Sequence, residues 1–306
     1  MPICIPKDLP AARTLQEENI FVMDVERATS QDIRPLHILV LNLMPTKIVT
    51  ETQLARLLGN TPLQIDMELL TVSRMPKHTA KEHMFSFYQT FEAVKDQYYD
   101  GMVITGAPVE KMDFEEVEYW DELCKIMDWS RSHVYSTLHI CWGAQAGLYH
   151  HYGVRKVLLD QKMFGVFRHK VVHKGSILFR GFDDEFWVPH SRHTGIIEDD
   201  VRSCPQLKVL AESAEAGIYA ISTDSGRQIF ITGHSEYDTD TLQNEYLRDK
   251  SEGLAIQLPQ NYFPQDDDTK APACTWRSSA NLLFSNWLNY FVYQETPYLV
   301  KTISAL

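Results

Sequence analysis

Cys141 stands where a buried strand gives way to a helix, and this position favours nucleophilic chemistry. Residues 134–140 form a β-prone run, and small residues and a helical segment follow the cysteine at once. Such a turn projects the side chain out of the sheet, and the N–H groups that open the helix can face a developing oxyanion. The positive end of the same helix stabilises a thiolate. The pattern predicts that Cys141 is a nucleophile at a sharp turn.

A second motif, His-x-Glu, follows another strand-like run and supplies a base. Residues 229–232 are β-prone, and Gly233 then precedes His234 and Glu236. On extended backbone, residues two apart point to the same side, so Glu236 can lie beside the imidazole. There it would fix the tautomer of His234 and stabilise the imidazolium, which is the role of the third member of a catalytic triad.

Each motif also has a plain structural interpretation. A cysteine at a strand end is commonly a buried core residue, and a lone histidine is more often structural than catalytic. The combination of a cysteine at a turn with a later His-x-Glu, in that order, is much more specific than either part. We therefore predict a catalytic trio of Cys141, His234 and Glu236.

Alternating strands and helices must position these side chains. Strand-like runs at 37–43, 64–72, 101–106 and 134–140 are separated by helical patterns at 49–58, 82–94 and 115–129, and a further helix follows at 142–151. This alternation predicts an α/β fold with a three-layer, mostly parallel sheet and helices on both faces.

The second half of the chain is richer in short β-like runs. These lie at 166–172, 186–189, 209–211, 218–221 and 228–232, and helices are predicted at 238–253 and 279–293 around a polar loop at 257–273. We expect a single catalytic domain over 36–300, with residues 1–35 as an arm packed on it. The aromatic C-terminal helix and this arm make a homodimer the expected assembly.

Composition excludes several classes of protein. The net charge of −12 and the scattered basic residues argue against a partner nucleic acid. The apolar runs are too short to span a membrane, and the N-terminus lacks the pattern of a signal peptide. Five widely spaced cysteines without a C-x-x-C pair indicate neither a zinc site nor a disulfide framework, so a cytoplasmic location is expected.

A metal-binding module is the alternative from a different class. Among the twelve histidines, His169 and His173 are four apart, and His190 and His193 are three apart. Both pairs lie in β-like or loop sequence, where helical ligand spacing does not apply, and no cysteine pair or His-Glu-x-x-His motif accompanies them. We therefore expect no metal and no resident cofactor.

The two catalytic motifs resemble those of the class I glutamine amidotransferases, in which a cysteine at such a turn works with a His-Pro-Glu triplet. This chain differs at two positions, since His139 stands where that family has glycine and Ser235 where it has proline. Over residues 1–300 the chain resembles more closely the homoserine O-acyltransferases of methionine biosynthesis, which use the amidotransferase fold.

Short motifs dispersed along the whole chain carry the second resemblance. They are Met1-Pro2-Ile3, Glu17-Glu18-Asn19, Asn42-Leu43-Met44-Pro45, Thr105-Gly106-Ala107-Pro108, Cys141-Trp142, Arg180-Gly181-Phe182-Asp183-Asp184, Pro189-His190-Ser191-Arg192, Gly233-His234, Glu236-Tyr237-Asp238, Asn261-Tyr262-Phe263-Pro264, Trp276-Arg277-Ser278 and Asn286-Trp287-Leu288-Asn289-Tyr290.

The resemblance implies roles for residues that the sequence alone leaves ambiguous. Cys141 matches the acyl-thioester nucleophile, His234 the proton acceptor and Glu236 its partner. Lys162, Ser191 and Arg248 match positions that contact the amino-acid substrate, and Ser191 also bears on the choice of acceptor. Without the family, Lys162 reads as a loop lysine, Ser191 as a turn residue and Arg248 as part of a surface salt bridge.

Glu110 matches the position that selects the acyl donor. Family members with glycine there resemble succinyl-CoA users, whereas glutamate goes with acetyl-CoA. A glutamate adds bulk and a like charge that would oppose a succinyl carboxylate. The expected reaction is therefore acetyl transfer from acetyl-CoA, a co-substrate, to L-homoserine. Succinyl transfer is one alternative, and a glutaminase or cysteine hydrolase on the same fold is another.

The expected mechanism passes through an acetyl-thioester on Cys141 with ping-pong kinetics. The backbone N–H of Trp142 is the first expected oxyanion donor. The second would come from the loop after the first strand of the 36–300 domain, around Pro45 to Lys47. Arg248 is a plausible clamp for the substrate carboxylate, because a guanidinium binds a carboxylate through two parallel hydrogen bonds.

Overall fold

The computed structural model describes residues 3–18, 22–23, 34–73 and 81–306 of the chain. Their strands form one 12-stranded sheet. In chain order the strands are β1 (Ile3–Cys4), β2 (Val22–Met23), β3 (Leu36–Leu41), β4 (Ile65–Leu70), β5 (Tyr88–Gln89), β6 (Tyr99–Ile104), β7 (Val134–Ile140), β8 (Lys156–Val171), β9 (Glu185–Ile196), β10 (Leu207–Ser213), β11 (Gly217–Thr223) and β12 (Gln228–Ile231).

The sheet has a parallel half and an antiparallel half. Its order is β2-β1-β4-β3-β6-β7-β12-β11-β10-β8-β9, and β5 pairs with β4. From β2 to β12 every neighbouring pair is parallel, and from β12 to β9 every pair is antiparallel. The predicted mostly parallel α/β sheet is therefore confirmed for the core, although the second half of the sheet is antiparallel.

Helices surround the sheet. They are α1 (Pro10–Glu17), α2 (Lys47–Leu58), α3 (Lys81–Phe87), α4 (Phe91–Val94), α5 (Trp120–His133), α6 (Trp142–Tyr152), α7 (Glu198–Ser203), α8 (Thr241–Ser251) and α9 (Arg277–Asn286). After α9 the chain continues as a π-helix over Trp287–Tyr293. None of the helices in the described ranges is long and apolar enough to span a bilayer.

The parallel strands are buried on both faces, as their continuous apolar sequences predict. Along β3, Ile38 and Val40 belong to one hydrophobic core, and Leu39 and Leu41 belong to the other. All four side chains are completely buried. Because successive side chains of a strand point to opposite faces, this division places packed layers on both sides of the sheet.

The described part of the N-terminal arm contacts the main sheet. β1 lies beside β4 in parallel register, and α1 contacts α2. Glu18 also pairs with Arg56 at 2.5 Å. Residues 1–2, 19–21 and 24–33 of the arm lie outside the described residues, and the domain boundary at residue 35 stays a prediction.

One prediction of local structure is wrong, and another is incomplete. The helix predicted for 82–94 is divided, because β5 separates α3 from α4 and adds to the sheet edge beside β4. The short β-like runs at 166–172 and 186–189 are parts of one long hairpin of β8 and β9. Lys162 and Ser191 therefore lie within strands, and not in a loop and a turn.

The topology brings the two catalytic motifs to one edge of the sheet. β7 and β12 are parallel neighbours, and Ile140 is the register partner of Ile231. Cys141 directly follows the first of these residues, and His234 follows the second by three positions. Since parallel neighbours end at the same edge, both side chains are delivered to the carboxyl ends of the strands.

Candidate active site

Cys141 occupies a strained turn between β7 and α6. Its backbone has φ +51° and ψ −115°, a conformation that residues with side chains rarely adopt. The N–H of Cys141 donates to the Ile231 carbonyl at 2.7 Å, and its own carbonyl accepts the N–H groups of Ala144 and Gln145 at 3.0 Å. The turn is thus fixed on both sides, as a presented nucleophile requires.

Gly143 lets backbone approach the turn closely, and Gly106 lies opposite it. A Cβ atom at Gly143 would lie 2.5 Å from the Thr105 carbonyl oxygen, so only glycine allows α6 to begin this near the end of β6. A Cβ atom at Gly106 would lie 3.4 Å from Cβ of Cys141 and 3.6 Å from Cε1 of His234. Cys141 and His234 therefore face the same point above Gly106.

His234 is held by its backbone and by Glu236. Its N–H donates to the Pro189 carbonyl at 2.8 Å, and its Nδ1 lies 2.7 Å from Oε1 of Glu236. The ring also stacks on Tyr237, with centroids 4.1 Å apart. With Nδ1–H donating to the carboxylate, Nε2 is left for the thiol and the reacting groups.

The side chains of the His-x-Glu motif meet for a different reason from the one predicted. β12 ends at Ile231, and residues 235–236 form a turn, so the motif does not lie on extended backbone. The turn nevertheless brings the Glu236 carboxylate onto the imidazole, and both side chains are buried.

Charge in the site favours the protonated form of His234. Burial by itself lowers the pKa of His234, but the facing Cys141 thiolate and the Glu236 carboxylate outweigh it and raise that pKa well above 6.5. A hydrogen bond between His234 and Cys141 adds to the rise. The arrangement can therefore hold a proton donor beside the sulfur, as a cysteine nucleophile needs.

His139 lies beneath the turn, where the amidotransferase family has glycine. The imidazole is fully buried, and its Nδ1 lies 3.2 Å from the Gly143 carbonyl. Burial lowers its pKa to about 3, so the ring is neutral. A Cβ atom at Gly147 would lie 2.7 Å from this ring, which makes glycine at 147 the complement of histidine at 139.

The two predicted oxyanion donors belong to the elements around Cys141. Trp142 opens α6, and the first N–H groups of a helix have no acceptor within it. Lys47 opens α2 after the 42–46 loop, in which the sulfur of Met44 would lie 3.8 Å from a Cβ atom at Gly106. The Lys47 ammonium donates to the Asn42 carbonyl, and burial lowers the pKa of Lys47 to about 7 against the attraction of Glu51.

The three predicted substrate residues converge on one carboxylate. Lys162 Nζ lies 2.5 Å and Ser191 Oγ lies 2.8 Å from Oε1 of Glu245, and Arg248 lies 4.0 Å from it. Arg248 is 59% exposed and pairs with Asp249 at 2.6 Å, so the salt-bridge interpretation of Arg248 stays open.

Sequence reasoning missed Glu245 as a site residue. Its charge contributes to raising the pKa of Tyr237, after the larger effect of burial, and so does the charge of Cys141. Tyr237 stacks on His234, which places the Glu245 cluster beside the catalytic trio. The only signal in the sequence was an acidic helix, which is common on protein surfaces.

Arg192 was also missed, although it lies in a quoted motif. Its side chain is buried, and it donates to Nδ1 of His190 and to the carbonyls of Thr194 and Ala216. Burial lowers the pKa of Arg192, and the charges of Cys141 and Glu110 oppose that shift. A buried cation is therefore held by neutral groups on and beside β9.

Glu110 is bound to β9. Its Oε2 accepts the backbone N–H of His193 at 2.8 Å and that of Thr194 at 3.1 Å, and the Thr194 hydroxyl lies 3.1 Å away. The Glu110 side chain is therefore hydrogen-bonded to β9, the strand that also carries Ser191.

Two of the histidines considered as metal ligands belong to different predicted pairs but meet each other. His169 and His190 contact each other instead, with Nε2 atoms 3.2 Å apart and rings stacked. Within the described ranges, two groups could hold a metal ion: Asp128 with His150 and His151, and His37 with Asp66 and Glu68. Neither group includes a member of the trio.

A cavity of about 630 Å³ among the described residues lies away from the trio. Arg168, Trp187 and Glu212 and the segment 258–261 line it, and none of the predicted site residues does. The geometry of the trio, and not the size of a cavity, therefore locates the chemistry.

A model of the family described as homoserine O-succinyltransferase matches residues 2–298. The homoserine O-acetyltransferase of Clostridium novyi is 61% identical over 97% of this chain and 99% of its own length. The homoserine O-acetyltransferases of Clostridium acetobutylicum and Bacteroides thetaiotaomicron are each 58% identical, over 97% and 99% of this chain and 99% and 100% of their own lengths.

Among solved structures, glutamine amidotransferases share the fold. That of Thermotoga maritima has a TM-score of 0.54 at 13% identity, covering 85% of this chain and 100% of its own. That of Methylobacillus flagellatus has a TM-score of 0.50 at 13% identity, covering 84% and 95%. These likenesses confirm the predicted amidotransferase-like fold, and at this identity they carry nothing about activity.

Proposed function

The chain belongs to the homoserine O-succinyltransferase family, and we propose that it transfers the acetyl group of acetyl-CoA to the hydroxyl of L-homoserine. The family description names succinyl transfer, whereas the relatives at 58–61% identity are named acetyltransferases. The observation that carries the proposal is the Cys141–His234–Glu236 geometry in a chain so similar to acetyltransferases.

The first half-reaction acylates the enzyme. The Cys141 thiolate attacks the carbonyl carbon of acetyl-CoA, and the oxyanion is held by the Trp142 N–H and by the N–H of Lys47. Collapse breaks the bond between the carbonyl carbon and the sulfur of coenzyme A, and His234 gives that sulfur its proton. An acetyl-thioester on Cys141 and a neutral imidazole remain.

The second half-reaction uses the base that the first has created. Acylation removes the thiolate charge, which is the first of the contributions that raise the pKa of His234. The neutral imidazole can then accept the proton of the homoserine hydroxyl as its oxygen attacks the thioester. The new ester departs, and the Cys141 thiolate and the His234 imidazolium are restored.

The cluster around Glu245 is suited to an amino acid. Glu245 supplies an anion for the homoserine ammonium, and Lys162 and Arg248 supply cations for its carboxylate. Binding would exchange the internal pairs of these side chains for pairs with the substrate. Ser191, which donates to Glu245, orients that carboxylate.

Product analysis tests the function directly. The protein is incubated with homoserine and either acetyl-CoA or succinyl-CoA, and the product is identified by mass. We expect O-acetylhomoserine, with succinyl transfer much slower. A product formed only from succinyl-CoA would instead assign the alternative donor, and release of ammonia from glutamine would assign a glutaminase.

The assembly and the location are further parts of the proposal. A homodimer stays a prediction that sedimentation of the full chain would test. The cytoplasmic location is supported by the cysteines, which are widely spaced in the sequence and form no disulfide-framework pattern.

A further inference from the structure

Two neighbouring histidines near the end of α6 converge on a carboxylate of α5. Nε2 of His150 lies 2.8 Å from Oδ1 of Asp128, and the ring centroids of His150 and His151 are 4.8 Å apart. Consecutive side chains of a helix leave its axis about 100° apart, so helical spacing alone does not bring two such rings together. One ligand atom from each of the three side chains lies within 4.8 Å of the other two. These three residues, the α5–α6 cluster, therefore gather three possible metal ligands at one point.

His151 has a ring nitrogen that the fold leaves without a hydrogen bond. Its Nε2 is buried and has no partner among the residues that the structure describes. A buried polar atom without a partner costs free energy and is uncommon in folded proteins, so it calls for an explanation. An imidazole nitrogen with an open lone pair is a common ligand of transition metals. A bound cation is therefore a chemically suitable partner for this side chain.

The electrostatic surroundings of the cluster attract a cation. His150 and His151 belong to the last turn of α6, where the unpaired carbonyl groups form the negative end of the helix dipole. Asp128 adds a full negative charge, whereas Arg131 of α5 acts on His151 in the opposite sense. A divalent cation would thus meet one carboxylate and one negative helix end, against one guanidinium.

The other group of possible ligands, His37 with Asp66 and Glu68, is already used within the fold. Nδ1 of His37 lies 3.2 Å from Oδ2 of Asp66, and Glu68 accepts hydrogen bonds from one amide and one hydroxyl. A cation would compete there with three internal contacts. At the α5–α6 cluster, the described residues offer one such contact, between His150 and Asp128. The α5–α6 cluster is therefore the better site.

We propose that Asp128, His150 and His151 bind a divalent transition-metal cation such as Zn²⁺, which joins the end of α6 to α5. Two imidazole nitrogens and one carboxylate oxygen suit Zn²⁺, and a water molecule completes a four-coordinate shell. On binding, His150 exchanges its hydrogen bond to Asp128 for the metal and carries its proton on the other ring nitrogen. Because α6 begins directly after Cys141, the ion supports the far end of the helix that follows the nucleophile. The proposal departs from the sequence expectation of no metal, since consecutive histidines are not a recognised ligand spacing.

Titration of the full chain with Zn²⁺, followed by calorimetry, tests the site. Asp128→Asn and His150→Gln should each weaken the affinity by at least about 10- to 100-fold, a loss that removal of even an outer partner of a metal ligand causes. His37→Gln, in the other group, is the matched control and should leave the affinity unchanged. The Asp128 side chain is 61% exposed, so Asp128→Asn is expected to fold even if His150→Gln does not.

Two further measurements identify the ligands and the effect of binding. Co²⁺ bound by nitrogen and oxygen shows visible ligand-field bands, whereas a thiolate ligand adds a charge-transfer band in the near ultraviolet. We expect ligand-field bands that are lost in Asp128→Asn. Zn²⁺ at 100 times its dissociation constant should raise the Tm of the original chain by about 3 to 8 °C, because binding favours the folded state. Asp128→Asn should show no such rise.

The possible contrary results are equally clear. Absence of Zn²⁺ binding by the original chain, or equal affinities of the original chain and Asp128→Asn, would refute the site. Loss of binding in His37→Gln but not in Asp128→Asn would assign the ion to the other group and refute it as well. A thiolate band that persists in Asp128→Asn with undiminished affinity would assign the ion to a cysteine, with the same consequence for the proposal.

Discussion

The parallel and antiparallel halves of the sheet make different contributions to the site. The parallel half presents Cys141 at the end of β7, and His234 follows the adjoining β12. The antiparallel hairpin of β8 and β9 carries Lys162 and Ser191 and holds Glu110. The residues proposed for the chemistry thus lie at strand ends, whereas two of those proposed to recognise the substrate lie on an irregular hairpin.

Because of this difference, the two halves of the sheet should tolerate substitutions to different degrees. A strand end followed by a helix is fixed by backbone hydrogen bonds, so the turn at Cys141 allows little adjustment. A bulged hairpin can alter its register locally while the flanking pairs remain in place. We therefore expect substitutions in the parallel half to abolish turnover, and substitutions around the hairpin to change which substrate is used.

Removal of the nucleophile should have the largest effect. Cys141→Ala should lower acetyl transfer by more than about 10⁴-fold, because no thioester can form. Loss of the burst of coenzyme A release, followed with a thiol reagent, measures it. Cys204→Ala is the control, since Cys204 is a free cysteine outside the site. Full turnover by Cys141→Ala would show that the parallel half of the sheet does not carry the chemistry.

Glu236→Gln should have the next largest effect. An amide can donate to Nδ1 of His234 and so stabilise the wrong tautomer, and it removes a charge that raises the pKa of His234. We expect kcat to fall by about 10²- to 10⁴-fold. Glu185→Gln, at an exposed carboxylate that pairs with Arg168, should leave kcat unchanged. Equal losses in the two variants would show that the effect is not specific to the trio.

The sequence predicted the candidate residues at the strand ends far better than those around the antiparallel hairpin. Cys141, His234 and Glu236 could be found because each follows a strand within a few residues, so local pattern and chemistry coincide. Glu245 could not, because its partners lie far along the chain, and Arg192 could not, because nothing in the local pattern shows that its side chain is buried. Glu245 meets Lys162 83 positions away and Ser191 54 positions away.

The antiparallel hairpin itself was only partly predictable, for a related reason. Its strands were recognised as short runs, because the bulge at 159–162 interrupts the alternation that marks a strand. The helix predicted for 82–94 failed because β5 pairs with β4, a tertiary contact that local helical spacing does not reveal.

Glu245→Gln should affect the recognition of homoserine more than the formation of the thioester. Loss of the anion beside Lys162 and Ser191 should raise KM for homoserine by about 10- to 100-fold. The burst of coenzyme A release from acetyl-CoA alone should change by less than about threefold, as expected when only one half-reaction uses a group. Glu252→Gln, on an exposed carboxylate just after α8, is the control. An equal loss in both half-reactions would show that Glu245 also serves thioester formation. The chemistry and the recognition of homoserine would then not be divided between the two halves of the sheet.

The smallest expected effect concerns stability and arises in the antiparallel half. His169 donates from Nδ1 to the Phe167 carbonyl and accepts at Nε2 from His190, which itself accepts from Arg192. Both imidazoles must be neutral for this chain of hydrogen bonds. Burial lowers the pKa of His169 to about 4 and that of His190 well below 6.5.

Between pH 6.5 and 4, His169 and His190 therefore bind protons in the unfolded chain but stay neutral in the folded chain. The free energy of unfolding should fall as the pH is lowered through this window, by up to about 1.4 kcal/mol per pH unit for each such histidine. His169→Gln keeps a donor and an acceptor but cannot titrate, so its unfolding curve should be less steep with pH, whereas His173→Gln, on an exposed side chain, should match the original chain. Urea unfolding at a series of pH values measures this slope. An unchanged slope in His169→Gln would mean that His169 is already protonated in the fold, and the neutral chain of hydrogen bonds from His169 through His190 to Arg192 would not exist.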